Sequence, residues 1–143
     1  MIKKILCATD GSIVSEKAVD FAIDFAKQLD AEVVFLTADT ITPDRLAGNR
    51  FWDSKVLAAV SAQENRELHT ASKKAKAAGL KSFSTVAAHG LNIAATIIAY
   101  AEEHKIGHIV AGSTGRTGIS RMLMGSIASD IVAKAHCPVT IVR

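Results

Sequence analysis

Residues 112–126 hold the densest concentration of groups that could do chemistry. Gly112-Ser113-Thr114-Gly115-Arg116-Thr117-Gly118 leads through Ile119 to Met124 and into Gly125-Ser126. Gly112 and Gly115 lack side chains, so a phosphate can approach the backbone closely there. Gly125 and Ser126 fall where a helix should begin, and free N–H groups with the positive end of the helix dipole attract anions at such a place. The Ser126 hydroxyl can cap that helix or bond a phosphate oxygen. Arg116 and Arg121 add positive charge to a segment without a single acid. The spacing, Gly-x2-Gly-x9-Gly-Ser, is neither Walker A nor the dinucleotide pattern Gly-x-Gly-x-x-Gly. Asp10 is the second candidate. Its carboxylate could accept bonds from sugar hydroxyls, help hold Mg²⁺ beside phosphate oxygens, or cap the first helix. The bland readings stand beside these: glycines after a strand form turns, and the two arginines can be solvated charges.

The elements that must position these groups alternate. Ile2 to Ala8 is a short apolar run that predicts a first strand. Ser12 or Ser15 can cap a helix in which Ala18, Val19, Ala22, Ile23, Phe25, Ala26 and Leu29 recur at helical spacing. Ala31 to Ala38 predicts a second strand, rich in β-branched residues, and Asp39 to Asn49 a loop. Helical spacing resumes from about Phe51 and runs to Ala78. Gly79 follows as a left-handed cap, with Lys73, Lys74 and Lys76 in the last turns to complement the dipole. Ser82 to Ala88 predicts a third strand, broken by His89-Gly90. Ile93, Ala94, Ile97, Ile98 and Ala101 give a third helix ending near His104. Gly107 to Ala111 predicts a fourth strand. Ile127, Ala128, Ile131, Val132 and Ala135 form a fourth helix, and Pro138 to Val142 a last strand with its proline at the tolerated first position. Strands alternating with helices imply an α/β fold, a parallel sheet covered by helices on both faces. In such sheets ligands bind at the carboxyl ends of strands, where the strand order reverses.

The 143 residues suffice for one domain, 1–143, and the chain shows no internal repeat or linker. Apolar residues at 49% and charged residues at 22% exclude wholesale disorder. No apolar run reaches the roughly 18 residues a membrane span needs, and the apolar stretch after Met1 is too short for a secretory leader. The expected location is therefore the cytoplasm, with no membrane partner. The net charge of +3 and pI near 9.0 are mild. Basic residues are dispersed and aromatic ones few, so nucleic acid is not an expected partner. His69, His89, His104, His108 and His136 are scattered, and no metal site is expected. Cys7 and Cys137 are expected to be free, structural thiols. Trp52 reads as a packed anchor or an interface residue. Met122, Leu123 and Met124 pack locally or form a flap.

The glycine spacing in its strand-to-helix context resembles the ATP-binding signature of the universal stress protein family. The resemblance covers the whole chain: Ile5 to Asp10 (ILCATD), Tyr100 to His104 (YAEEH), His108 to Gly118 (HIVAGSTGRTG) and Cys137 to Arg143 (CPVTIVR) all read like that family. It implies an open five-stranded parallel sheet of order 3-2-1-4-5, of the adenine nucleotide alpha hydrolase type. It implies that the counterpart of Asp10 contacts ribose or adenine, and that Ala8, Thr9 and Ala38 line an adenine pocket. Gly112, Thr114, Gly115, Gly125, Ser126 and Ile127 would hold ribose and phosphates; Arg116 is a candidate phosphate contact on its charge and place in the loop alone. There are departures. Thr114 stands where an Arg or His is frequent, Ala8 where a Pro is frequent, and the Gly90 region lacks the usual Gly-x-Pro.

The expected function is that of a nucleotide-binding stress protein. Its cofactor would be ATP, ADP or AMP, with Mg²⁺ only through the nucleotide, and its output a ligand-dependent regulation of an unidentified protein partner. Two other classes stay open: a slow ATPase or phosphotransferase, for which no base positioned for water is evident, and a ligand-free interaction module. Val139, Thr140, Ile141 and Val142 form an apolar edge strand with no charge before Arg143. In the family this strand commonly pairs with its two-fold mate, so a homodimer is expected.

Overall fold

A computed structural model describes residues 1–40, 51–53, 62–114 and 124–143, with side chains for all of these except 51–53. The chain runs β1 (Lys4–Ala8), α1 (Ile13–Leu29), β2 (Glu32–Thr40), β3 (Phe51–Asp53), α2 (Ala62–Ala77), β4 (Phe83–Gly90), α3 (Ile93–Glu103), β5 (His108–Gly112), α4 (Ser126–Lys134) and β6 (Val139–Val142). The sheet order is β3-β4-β2-β1-β5-β6. Its five parallel strands, β4-β2-β1-β5-β6, have the expected 3-2-1-4-5 order. The short β3 adds an antiparallel edge, pairing Phe51, Trp52 and Asp53 with Ala88, Ala87 and Val86.

That edge corrects the sequence reading. A helix from Phe51 does not form; residues 51–53 extend along β4, and the helix is described from Ala62. Two aromatic residues in sequence suit a strand as well as a helix start, and a free sheet edge settles the choice. The strands also outlast their expected ends. β2 continues through Asp39 and Thr40, and β4 through His89 and Gly90, because each supplies the other's ladder: Asp39 faces His89 and Thr40 faces Gly90.

Side chains alternate across the sheet with period two. Ile5, Cys7, Val33, Phe35, Ala87 and Val110 pack against α1 and α2. Leu6, Val34, Leu36, Ala88, Ile109 and Ala111 pack against α3 and α4. Phe35, Ile5, Leu6 and Ile109 are fully buried, and each such side chain contributes roughly 1.5–3 kcal/mol. Neighbouring helices end as their sequences dictate. Ser12 caps α1, its Oγ accepting from Ser15 N at 3.2 Å. Asp30 closes α1 in the left-handed conformation (φ 52°), with Ala31 N donating to Ala26 O. Gly79, at φ 72°, closes α2 as expected. Asn92 caps α3 through Ala95 N. Cys7 and Cys137 are free thiols packed into opposite layers. Burial raises the pKa of both, which keeps them protonated and unreactive. No helix among the described residues is long and apolar enough to cross a membrane.

Candidate functional site

The chain leaves β1 for β2 on one side and reaches β5 on the other, so the strand order reverses between β1 and β5. A cavity of about 250 Å³ opens there, at the carboxyl ends of β1, β2 and β5. Its walls are apolar: Leu36 and Ala38 from β2, Ile93 and Ile97 from α3, Ala111 from β5, and Ala128 and Ile131 from α4. Its rim is polar, formed by Thr9, Asp10, Ser15, Asp39, Ser113, Thr114 and Ser126. An apolar slot with a few convergent polar groups is the usual form of a small-molecule site, and this volume lies just below the common range of about 300–1,000 Å³.

Each predicted residue within the described chain lines this cavity: Ala8, Thr9, Asp10, Ala38, Gly112, Thr114, Gly125, Ser126 and Ile127. Gly115, Arg116 and Arg121 lie outside the described residues. So do Met122 and Leu123, while Met124 is exposed.

The turn from β1 into α1 is held by its own polar groups. Asp10 Oδ1 accepts from Ser12 N at 2.9 Å, an Asx turn. Ser12, not Asp10, is therefore the helix cap. The buried Ser15 hydroxyl donates to Ser12 O at 3.1 Å, accepts from Asp10 N at 3.3 Å and lies 3.2 Å from Thr9 Oγ1. These bonds fix Asp10 at the rim. Gly112 follows from the same packing. A Cβ there would meet Val14 Cγ1 at 3.0 Å and Ser15 N at 3.3 Å, so glycine lets the first turn of α1 rest closely on the end of β5.

The start of α4 is seated by the backbone. Gly125 N donates to Ser113 O at 2.8 Å, and a Cβ at 125 would press on that oxygen at 3.3 Å. The cap is Gly125, with no side-chain hydrogen bond; Ser126 is the first helical residue, so its hydroxyl does not serve as the cap. Gly125, Ser126, Ile127 and Ala128, the cap and first turn of α4, line the cavity, and among the described residues no side chain caps this helix end. The charged lining residues among those described are both acids, Asp10 and Asp39. The site therefore combines acceptors for ligand hydroxyl or amine donors on the β1–β2 side with a helix start for an anion on the β5–α4 side. No cluster of metal-binding side chains occurs among the described residues.

Ser15, Leu36, Asp39, Ile93, Ile97, Ala111, Ser113, Ala128 and Ile131 were not among the expected site residues. Ile93 and Ile97 lie on the apolar stripe of the third helix and Ala128 and Ile131 on that of the fourth, so periodicity had placed them facing the sheet. Nothing in the sequence showed that the sheet stops short beneath them. Asp39 was hidden by its assignment to a loop.

Comparison with known proteins fits this architecture. The universal stress protein family profile matches residues 1–143. Universal stress protein MJ0531 of Methanocaldococcus jannaschii is 37% identical over 100% of this chain and 83% of its own length. Universal stress protein YxiE of Bacillus subtilis is 32% identical over the full length of both chains. Among solved structures, UspA of Lactobacillus plantarum superposes with a TM-score of 0.79 at 25% identity, over 99% of this chain and 98% of its own. A universal stress protein solved in complex with cAMP gives a TM-score of 0.77 at 26% identity, over 99% and 97%. With the profile and two relatives that match the whole of this chain agreeing, the chain belongs to the universal stress protein family.

Proposed function

We propose that the cavity binds an adenine nucleotide (ATP, or ADP or AMP) and that the chain acts in the cytoplasm as a ligand-dependent, homodimeric regulator of a stress response. The observation that carries this reading is the pairing of an apolar slot with the start of α4, whose glycine cap offers no side-chain acceptor, at the switch point between β1 and β5. The base fits between Ala38 and Leu36 on one side and Ile93 and Ile97 on the other. Ala8 and Thr9 complete the base pocket, Asp10 faces the ribose, and Gly112, Thr114, Gly125, Ser126 and Ile127 surround the ribose and phosphates. Gly115 and Arg116 belong to the same glycine motif in the sequence and are proposed as phosphate contacts. Mg²⁺ would enter only with the phosphates of the nucleotide. The relative solved with cAMP supports the ligand class.

The dimer reading rests on β6. It is an outer strand of the sheet, and Val139, Thr140, Ile141 and Val142 are each only half-buried in the isolated chain. A second copy pairing along this edge would cover them. Nucleotide binding at the neighbouring β5–α4 junction would then bias the surface offered to a protein partner.

Calorimetric titration of ligand-stripped protein with ATP and Mg²⁺ tests the reading. One nucleotide per chain is expected. No heat of binding up to about millimolar ATP, where affinity falls to about 4 kcal/mol, would leave a ligand-free interaction module in its place.

A further inference from the structure

The helix α2 carries two acids on its buried face. Glu64 is 4% exposed and Glu67 7%. They reach the carboxyl ends of β4 and β2 from the side of the sheet opposite the cavity. His89 Nε2 lies 3.0 Å from both oxygens of Glu64. Thr37 Oγ1, itself buried, donates to Glu67 Oε2 at 2.8 Å, and Gln63 Nε2 donates to Glu67 Oε1 at 3.2 Å. The stem of Glu67 also lies beside the β1–α1 turn. A Cβ on Gly11, which sits at φ 79°, would meet Glu67 Cγ at 3.0 Å and Oε1 at 3.4 Å.

The two segments that Glu67 touches are the two lips of the cavity. Thr37 precedes Ala38 and Asp39, and Gly11 follows Asp10; Ala38, Asp39 and Asp10 all line it. Side chains alternate along β2, so Thr37 turns toward α2 while Ala38 turns toward the cavity. A carboxylate taken out of water is costly even when well bonded, and an apolar residue would fill the same space more cheaply. What the carboxylate adds is a fixed distance between two backbones.

We infer that Glu67 is a positioning residue: through Thr37 and Gly11 it sets the spacing of Asp10 against Ala38 and Asp39, and thereby the affinity of the cavity for its nucleotide. This rests on the nucleotide reading proposed above. Glu67 touches no ligand itself. The Glu64–His89 pair holds the adjoining end of β4, where His89 faces Asp39 across the ladder, and so supports the same lip from its other side.

The test uses the full chain, stripped of ligand and titrated with ATP and Mg²⁺ by calorimetry. Glu67→Ala removes the bridge and is expected to weaken binding about tenfold, within the range of indirect couplings. Glu67→Gln keeps the stem and an acceptor for Thr37, and is expected to restore affinity to within about threefold of wild type. Leu68→Ala is the structural control. It empties a fully buried site in the same helix but is not among the residues that line the cavity, and affinity should stay within about twofold. Wild-type affinity in Glu67→Ala, or equal losses in Glu67→Ala and Leu68→Ala, overturns the inference. Thr37→Val deletes the hydroxyl while keeping its shape, and serves if Glu67→Ala does not fold. It should weaken binding and shift the Asp10 amide resonance in the ligand-free protein, and unchanged values of both would overturn the inference. The ligand-free spectrum also separates the two readings. Shifted Asp10 and Ala38 amides in the Glu67 or Thr37 variants, with no ATP binding by wild type, reject the nucleotide reading and leave the positioning intact. ATP binding that no Glu67 or Thr37 variant alters rejects the positioning alone.

Discussion

Gly90→Ala should be among the most damaging one-carbon changes in this protein, and the reason is local. Gly90 ends β4, two residues before the cap of α3, and its φ is not in the left-handed region that would by itself demand glycine. The constraint is space. An added Cβ would overlap Thr96 Oγ1 and sit 3.4 Å from Thr96 Cβ and 3.6 Å from its Cγ2. Thr96 is buried and committed: its hydroxyl donates to Asn92 O at 2.7 Å within the first turn of α3. Relief requires turning that hydroxyl away, which breaks the bond, or lifting the start of α3 from the sheet. Overpacking costs about 1–3 kcal/mol and the lost hydrogen bond about 1 kcal/mol. The sum is roughly 2–4 kcal/mol, a large part of the roughly 5–15 kcal/mol a domain possesses.

A double-mutant cycle isolates this cause. Thr96→Ala removes the atoms in the way and should cost about 1 kcal/mol for the bond it deletes. Adding Gly90→Ala to that background should cost less than about 1 kcal/mol, giving a coupling of about 1–3 kcal/mol between the two sites. Urea unfolding at constant slope is the assay. Gly90→Ala costing the same in both backgrounds, or less than about 0.5 kcal/mol in wild type, would refute the steric account. Ile93 and Ile97 of α3 line the cavity, so a start of α3 displaced from the sheet should also loosen any ligand held there.

Ser12→Ala should destabilise the protein by about 1 kcal/mol, seen as a lower urea midpoint, because the Ser15 N–H loses its cap acceptor. The buried His108 sits edge-on to Phe25, with Nε2 at 2.8 Å from Thr140 Oγ1 and Nδ1 without a partner among the described residues. Burial lowers its pKa below the ordinary 6.5. The unfolded chain then takes up the proton more readily than the folded one, so the stability due to this residue is complete above 6.5 and falls away as the pH drops toward the folded value. His108→Gln should flatten the fall in denaturation midpoint between neutral pH and about pH 5; an unchanged slope would exclude His108 as its source. Ile141→Lys should shift the sedimentation profile from dimer to monomer, and a profile unaltered at micromolar concentration would count against the β6 edge as the interface.

Much of the fold was legible because it rests on local rules. The short apolar runs of the strands, the stripes on α1 and α3 and the left-handed glycine after α2 are each written within a few residues. The extra edge β3 was not, since a three-residue strand has no periodicity and exists only because β4 offers it a free edge. The strand ends at Asp39 and Gly90 were missed for a related reason: each residue reads alone as a turn former, and only their mutual pairing makes them strand. The expected lining residues share one cavity because the motif fixes the ends of β1 and β5, and parallel topology brings those ends together. The opposite wall, from α3 and α4, depends on how far the sheet extends beneath the helices, which no single segment records.

The buried acids of α2 show where a pattern is present but its chemistry is concealed. Glu64, Glu67, Leu68, Ala71 and Ala75 fall at offsets of 0, 3, 4, 7 and 11, so the two carboxylates begin the same stripe that carries the apolar contacts. Hydropathy alone assigns them to the solvent face, because an acid scores as polar wherever it stands. Spacing alone assigns them to the core. Where these two criteria disagree on an ionisable residue, the residue must find a partner as the helix docks. Here the partners are Thr37, on the end of β2 that borders the cavity, and His89, on the end of β4 that pairs with it. A conflict between period and polarity in a helix can therefore mark where that helix grips the working end of a sheet.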